Sequence, residues 1–472
     1  MFNPRLILSL RPPAAVQNGR GPGVRVRLPD ATLTFGSVRP GVRRALTRLL
    51  TGASDDELAS IVGDDQEALT TWYYCVGVLE RRGGVTYEVR QRDRPIARMI
   101  VTSPHFQSSA RPGPSDRRWQ LSRFAYVRRE AARFILESPA TCAKVELLDR
   151  SAMTMLASLG APCGAHDVAM GRVPLRTAAD FLALLEHAGM LDPVDQMGRG
   201  AEEHSQSLKT WHFADLLFHV RSRAGRTDEP FTIFRYLDDF PPLPAVKAPM
   251  SDRVIDLYVP KLEKRARRDR TLTRVLEERR SIRAYDRRPI TLKELGEFLY
   301  RTARVKRIIE PDGKRILYQA SVRPYPGGGA CYELEIYIAV GRCGGLPVGL
   351  YHYDPLHHRL EVLSGGAAYA PQFLRDTLLS TAGAGPRQVL IVLAARFQRM
   401  SWKYNSCTYA AILKNVGVLY QTMYLVATAM NLAPCALGGG NSELFNRAVG
   451  TQFYDETSVG EFMLGTTRPS RR

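Results

Sequence analysis

GGGACYELEIYIAV, residues 327–340, sets three consecutive glycines directly before a strong strand pattern. Absent side chains let a backbone approach a flat or phosphorylated ligand closely; the alternative is a tight turn before a strand. Downstream, VGLYHYDPLHHRLEVLS (348–364) reads as strand, turn at Asp354-Pro355, and strand. QVLIVLAAR (388–396) is a continuous apolar run, the mark of a buried strand. Ala410 to Met430 is a long helix apolar on every side, which places it inside a domain or at a subunit interface. LAPCALGGGN (432–441) is a second glycine-rich bend, and VGEFMLG (459–465) is a last strand. Strands and helices mixed in this way define an α+β domain built on a sheet.

Upstream, LTRVLEERRSIRAYD (272–286) predicts a helix with Leu272, Val275 and Leu276 on one face. Its arginines either form a wet helix face or surround an anion around Ser281. Thr291 with Glu294 three residues on is a capping box opening the next helix. SWKYNSCTY (401–409) places Lys403 and Tyr404 just after the buried strand. The pair is either a solvated lysine beside a half-buried tyrosine or a proton-transfer couple, the second requiring a lysine of lowered pKa.

The N-terminal half reads differently. Short strands over 22–35, helices over 38–50, 55–62 (Ser54 as N-cap, Glu57 as its partner) and 65–81, then a turn at Gly83-Gly84 and a strand, follow winged-helix order. A similar order recurs after residue 133, and YYCVGVLERRGG (73–84) echoes FLALLEHAGMLD (181–192), as a degenerate duplication would. Trp72, Tyr73, Tyr74, Val76 and Val78 on the third helix suit packing better than base reading, so no nucleic-acid partner is expected. Residues 91–120, rich in Arg, Pro and Ser, read as a loop, LKTWHFADLLFHV (208–220) as a short helix, and FPPLPAVKAP (240–249) as a stiff extended segment. The expected division is 1–100, 101–200, 201–265 (helix and linker wrapping the catalytic domain) and 266–472.

Of the 472 residues 44% are hydrophobic and 24% charged, an ordinary globular composition. The formal charge of +19 suits nucleic acid, acidic peptides or a phosphate-bearing cofactor alike. Seven scattered cysteines without a CxxC give no disulfide framework or zinc knuckle, and His212, Asp215 and His219 are read as surface residues, so no metal is expected. No run reaches the roughly 18 apolar residues of a membrane span. With no signal peptide, a cytoplasmic protein is expected.

Four segments, RRSIRAYD (279–286), RPYPGGGACYELEIY (323–337), GVLYQTMYLVATAMNLAPCALGG (417–439) and VGEFMLG (459–465), resemble the nitroreductase-like flavoenzyme fold. Within it the chain is most similar to the azoline dehydrogenases of ribosomal peptide biosynthesis, over about residues 270–470. The N-terminal region is similar to that of longer members, such as those of thiopeptide pathways. The resemblance implies FMN bound at a homodimer interface. It implies that Arg279, Arg280, Ser281 and Arg283 hold the phosphate and ribityl chain, with Arg468 as a further phosphate contact. Pro326, Gly327, Gly328 and Gly329 match the loop beside the isoalloxazine, with Gly327 where the family usually has Ser. Glu335, Gln421, Cys435, Leu437, Gly438 and Gly439 are carried over as further cofactor contacts. Lys403-Tyr404 match the Lys-Tyr pair of the azoline dehydrogenases and are the implied catalytic residues. The implied reaction converts a peptide thiazoline to a thiazole: Lys403 removes the Cα proton, the Cβ hydride goes to flavin N5, and dioxygen reoxidises the flavin. The implied partners are an azoline-containing precursor peptide and a cyclodehydratase. The competing readings are an NAD(P)H-dependent nitroreductase-like enzyme acting on small molecules, and a non-catalytic peptide- or DNA-binding scaffold.

Overall fold

The computed structural model describes residues 5–18, 23–108, 117–229, 231–380 and 387–468. The chain divides into two compact units, Met1–Pro230 and Phe231–Arg472.

In the first unit an antiparallel seven-stranded sheet runs in the order Ala53–Ser54, Ile7–Leu10, Val85–Gln91, Arg94–Val101, Ala143–Leu147, Arg133–Glu137 and Tyr126–Glu130. The three expected helices are present as Pro40–Arg48, Asp55–Val62 and Gln66–Arg81, and Ser54 caps the second by accepting from the Glu57 amide. Arg94–Val101 corrects the reading of 91–120 as a loop; residues 109–116 of that stretch lie outside the described residues. Arg98 made this strand look polar. In the sheet Arg98 stands opposite Glu88 on one neighbour and Glu146 on the other, and pairs with them at 2.7 and 3.1 Å. Cross-strand ion pairs of this kind let a charged residue sit in a central strand. Because Arg94–Val101 pairs with Ala143–Leu147, sheet and core run across residue 100, and one apolar cluster extends from Leu8 to Met190. On the third helix Trp72 and Cys75 pack inward, but Tyr73 and Tyr74 face solvent, so only part of that face is core.

In the second unit another antiparallel seven-stranded sheet runs Val254–Asp256, Arg359–Val362, Gly349–Asp354, Leu334–Val340, Val389–Arg396, Glu456–Thr466 and Leu432–Leu437. Leu334–Val340 and Val389–Arg396 are buried at every position, the second as a continuous apolar run demands and the first with Glu335 as its one charged residue. On one face lie Leu292–Ala303, opened by the Thr291–Glu294 capping box, and the 22-residue helix Thr408–Ala429. On the other lie Gly366–Ser380 and Ser442–Val449. The fold is α+β, a sheet between two helical layers. The unit begins at residue 231, earlier than the expected 266. Ala245 is buried and accepts from Arg323 and Arg396, and Lys247 pairs with Glu456 at 2.5 Å, so the proline-rich segment is strapped to this sheet. Among the described residues no helix is long and apolar enough to cross a membrane, and no group of His, Cys, Asp or Glu could hold a metal ion.

Candidate active site

The triple glycine ends in a single tight turn, Gly328–Ala330. Gly329 has φ +59°, and a Cβ on it would overlap the Lys403 amine and the Tyr404 hydroxyl, so glycine is favoured there both by backbone and by the room it leaves that pair. The long helix holds the loop: Asn415 Oδ1 accepts from the Gly328 amide at 3.1 Å, and Asn415 Nδ2 donates to Glu333 at 2.9 Å. The second Glu333 oxygen is buried without a partner, and burial raises this carboxyl's pKa.

Lys403 leans on this wall. Its amine donates to the Tyr318 hydroxyl at 2.5 Å and to the Gly329 carbonyl at 3.3 Å. Aromatic rings of Tyr318, Tyr404 and Phe234 surround it at 4.8, 5.3 and 6.0 Å. Burial lowers the Lys403 pKa, and the nearby Arg399 guanidinium adds to the effect. Burial raises the Tyr404 hydroxyl and keeps it protonated near neutrality. These shifts favour the uncharged lysine and the protonated tyrosine. Arg399, itself brought down to about 10 by burial, donates to the Cys331 carbonyl at 2.8 Å and the Leu243 carbonyl at 2.6 Å. The segment before it clamps the pair from outside: the Phe234 amide donates to Lys403 O at 2.8 Å and the Asn405 amide to Thr232 O at 3.0 Å. Tyr318 and Arg399 carried no signal in the sequence beyond Arg399 preceding Lys403 by four residues, whereas Phe234 was legible only as an apolar residue in need of cover.

The arginine segment is built otherwise. The helix expected to carry it stops at Glu278, leaving Val275 buried but Leu272 and Leu276 exposed. It stops because the next residues are recruited by the sheet edge. The Ile282 amide donates to Pro434 O at 2.8 Å, and Ser281 Oγ lies 2.7 Å from the Tyr424 hydroxyl, which accepts from the Ala436 amide. Arg279 lies over the Tyr424 ring, and Arg468 donates to Tyr285 O at 3.1 Å. Arg283 is close enough to Cys435 to oppose the rise that burial gives its thiol. Arg279 and Ser281 thus meet Tyr424 on the long helix, while Ile282 and Arg283 lie against Pro434 and Cys435 of the last-but-one strand segment. Arg279, Arg280, Arg283 and Arg468 make no ion pair with the described residues.

Two carried-over residues fall elsewhere. Glu335 is fully buried on the sheet face away from the long helix, paired with Arg396 at 2.8 Å and His352 at 3.2 Å, and its pKa is lowered to about 2. Its alternation along the strand points it away from the glycine wall, so it supports the sheet and does not reach the cofactor cradle. Gln421 is exposed on the long helix, in line with Tyr409, Leu413 and Gly417. Cys435 and Leu437 are buried in the far-face core, while Gly438 and Gly439 are open.

These residues fit FMN. Uncompensated guanidinium groups beside a serine suit a phosphate, and three glycines that add no side chains of their own let a flat ring approach the backbone beside Lys403 and Tyr404. Asn415 and Tyr424, which anchor the wall and the cradle, are nine residues apart on one helix, about 13 Å along its axis.

Residues 276–466 match the nitroreductase family, and residues 119–228 match cyanobactin oxidase ThcOx. The second unit thus carries a nitroreductase-like region and the first a ThcOx-like region, which supports an oxidoreductase that uses FMN. It is 28% identical over 167 residues to a nitroreductase-type protein of Methanocaldococcus jannaschii, covering 35% of this chain and 76% of that one. It is 27% identical over 111 residues to the trifolitoxin-processing protein TfxB of Rhizobium leguminosarum, covering 23% of this chain and 30% of that one. Among solved structures it is similar to a nitroreductase-type protein of Ralstonia eutropha (TM-score 0.36, 23% identity, 51% of this chain and 100% of that one). It is also similar to a chain of the Escherichia coli microcin synthetase McbBCD complex with truncated pro-MccB17 (TM-score 0.33, 21% identity, 40% and 68%).

Proposed function

We propose that the chain oxidises azoline rings of a ribosomal precursor peptide to azoles, with Lys403 as the base that removes the ring Cα proton. The observation that carries this is a lysine of lowered pKa pressed against the glycine wall. Oxidation of a thiazoline removes one proton and one hydride, and the bound FMN supplies the hydride acceptor. The chain's own groups do the rest. Lys403 takes the proton, Tyr404 stands protonated beside it, and burial together with the Arg399 guanidinium shifts the lysine toward its uncharged form. The arginine cradle binds the cofactor's phosphate. The matches to ThcOx and to a trifolitoxin-processing protein support a peptide substrate.

A homodimer completes the cradle in this reading. Its support is the uncovered stripe Tyr409, Leu413, Gly417 and Gln421 on the long helix, together with the exposed Leu272 and Leu276 of the short helix before the cradle. The first unit, with its winged-helix order of elements, handles the precursor's leader or docks a cyclodehydratase. The deciding experiment is mass spectrometry of an azoline peptide incubated with the FMN-loaded protein. A loss of about 2 Da per ring, two hydrogens, is expected. Rapid flavin bleaching by NAD(P)H with no mass change in the peptide would replace this reading with a small-molecule reductase.

A further inference from the structure

Lys403 has more polar company than a solvent-facing base would. Its amine is fixed by two acceptors on different segments, the Tyr318 hydroxyl and the Gly329 carbonyl. The Tyr318 hydroxyl has one proton, and it donates that proton to the same Gly329 carbonyl. Towards Lys403 it can therefore only accept. A neutral amine has two N–H bonds and one lone pair in tetrahedral array. With one N–H on Tyr318, the other on Gly329 and the fourth direction taken by Cε, the lone pair has a single remaining direction. We propose that Tyr318 is a positioning residue for the proton abstraction assigned above, fixing where the Lys403 lone pair points. The proposal rests on Lys403 being the base.

Tyr318 is suited to this. Its ring is 7% exposed and packs against Trp402 at 6.0 Å and Phe234 at 6.3 Å, so its hydroxyl has little freedom. Burial raises its pKa, which keeps the hydroxyl protonated and donating to the Gly329 carbonyl across the working range. The other groups facing the amine are Cys331, Arg399 and Tyr404. Burial raises the Cys331 thiol and the Tyr404 hydroxyl, so both stay neutral, and Arg399 stays charged. Tyr318 is thus the one hydroxyl shown accepting from Lys403 among the described residues. An acceptor favours the ammonium form, so its loss lowers the Lys403 pKa.

The test is Tyr318→Phe in the FMN-loaded full chain, which keeps the ring and removes only the hydroxyl. Lys403 modification by an amine-reactive reagent, followed against pH by peptide mass spectrometry, reads the lysine without substrate turnover. Its midpoint should fall by about half a unit or more in Tyr318→Phe, the expected effect of losing a hydrogen bond to the charged form. Oxidation of an azoline peptide should slow roughly 10- to 100-fold in kcat at unchanged KM, part of what a positioned base contributes. The acid limb of its pH profile should move down with the lysine. A Cα-deuterated peptide should show a larger isotope effect than in the unaltered protein, because proton removal has become slower. Unchanged kcat, midpoint and isotope effect, with Lys403→Ala inactive, would overturn the role of Tyr318 and leave the base intact. Full activity of Lys403→Ala would instead remove the base reading itself.

Discussion

The glycine wall and the arginine cradle stand on one helix and are built on opposite principles. At the wall, polar groups other than the second Glu333 oxygen are paired within the chain: Asn415 bridges Gly328 and Glu333, and Lys403 is held by Tyr318 and Gly329. At the cradle, four arginines have no carboxylate among the described residues. In the proposed reading the first region holds a reacting group in position before substrate arrives, which is how a positioned base lowers a barrier. The second keeps unspent charge for an anion, and preorganises only its backbone through the Ile282–Pro434 and Ser281–Tyr424 contacts. Chemistry and binding are thus assigned to separate places, and substitutions should separate them.

The largest separation is expected from Lys403→Ala. Turnover should fall by about 10²- to 10⁴-fold, the usual worth of a positioned base, with FMN content after purification unchanged. A bleached, empty protein would show the wall and cradle to be one cooperative structure. In the unaltered protein, turnover should rise with pH through a lysine pKa below the ordinary value, because the base must be neutral and burial with Arg399 favours that form. An acid limb at the position of a free lysine would deny the wall its influence.

Glu461 tests the floor beneath the second bend, where a Cβ on Gly440 would overlap its carboxylate. Burial pushes this carboxyl from 4.5 up to about 7. Below pH 4.5 it is protonated in both the folded and unfolded chain. Between the two values the folded state alone keeps the proton, so stability drains away as pH rises, and above pH 7 the cost is complete. Glu461→Gln should therefore stabilise the protein by roughly 2–3 kcal/mol at pH 8 and by little at pH 4. Thermal unfolding of both proteins against pH reads the difference. Equal stability of the two at pH 8 would mean that the carboxylate is compensated there.

How far the sequence disclosed these regions follows from which forces built them. Buried strands were legible because continuous apolar runs such as Val389–Arg396 have one use. The Thr291–Glu294 capping box was legible because capping is local. Lys403, Tyr404 and the glycines were legible as motifs, but Tyr318 and Arg399 were not, since their partners lie many residues away and no periodicity announces them. Arg94–Val101 was misread for a related reason: the carboxylates that neutralise Arg98 come from two other strands. Glu335 was misplaced because the motif gave its position but not the sheet face it points to.

The smallest effect is expected at the cradle. Arg283→Ala removes one of several cations around a phosphate, so FMN should bind about 10-fold more weakly, near 1.4 kcal/mol, with kcat at saturating FMN unchanged. Arg283 is exposed, so its contribution is screened. The deficit should shrink as ionic strength rises from about 0.01 to 1 M, over which the Debye length falls from roughly 30 to 3 Å. A salt-independent loss would place Arg283 in a desolvated contact, and the cradle would then be preorganised in the manner of the wall. If kcat fell with no change in FMN affinity, the arginine would act on the reaction, and the separation of binding from chemistry along the long helix would fail.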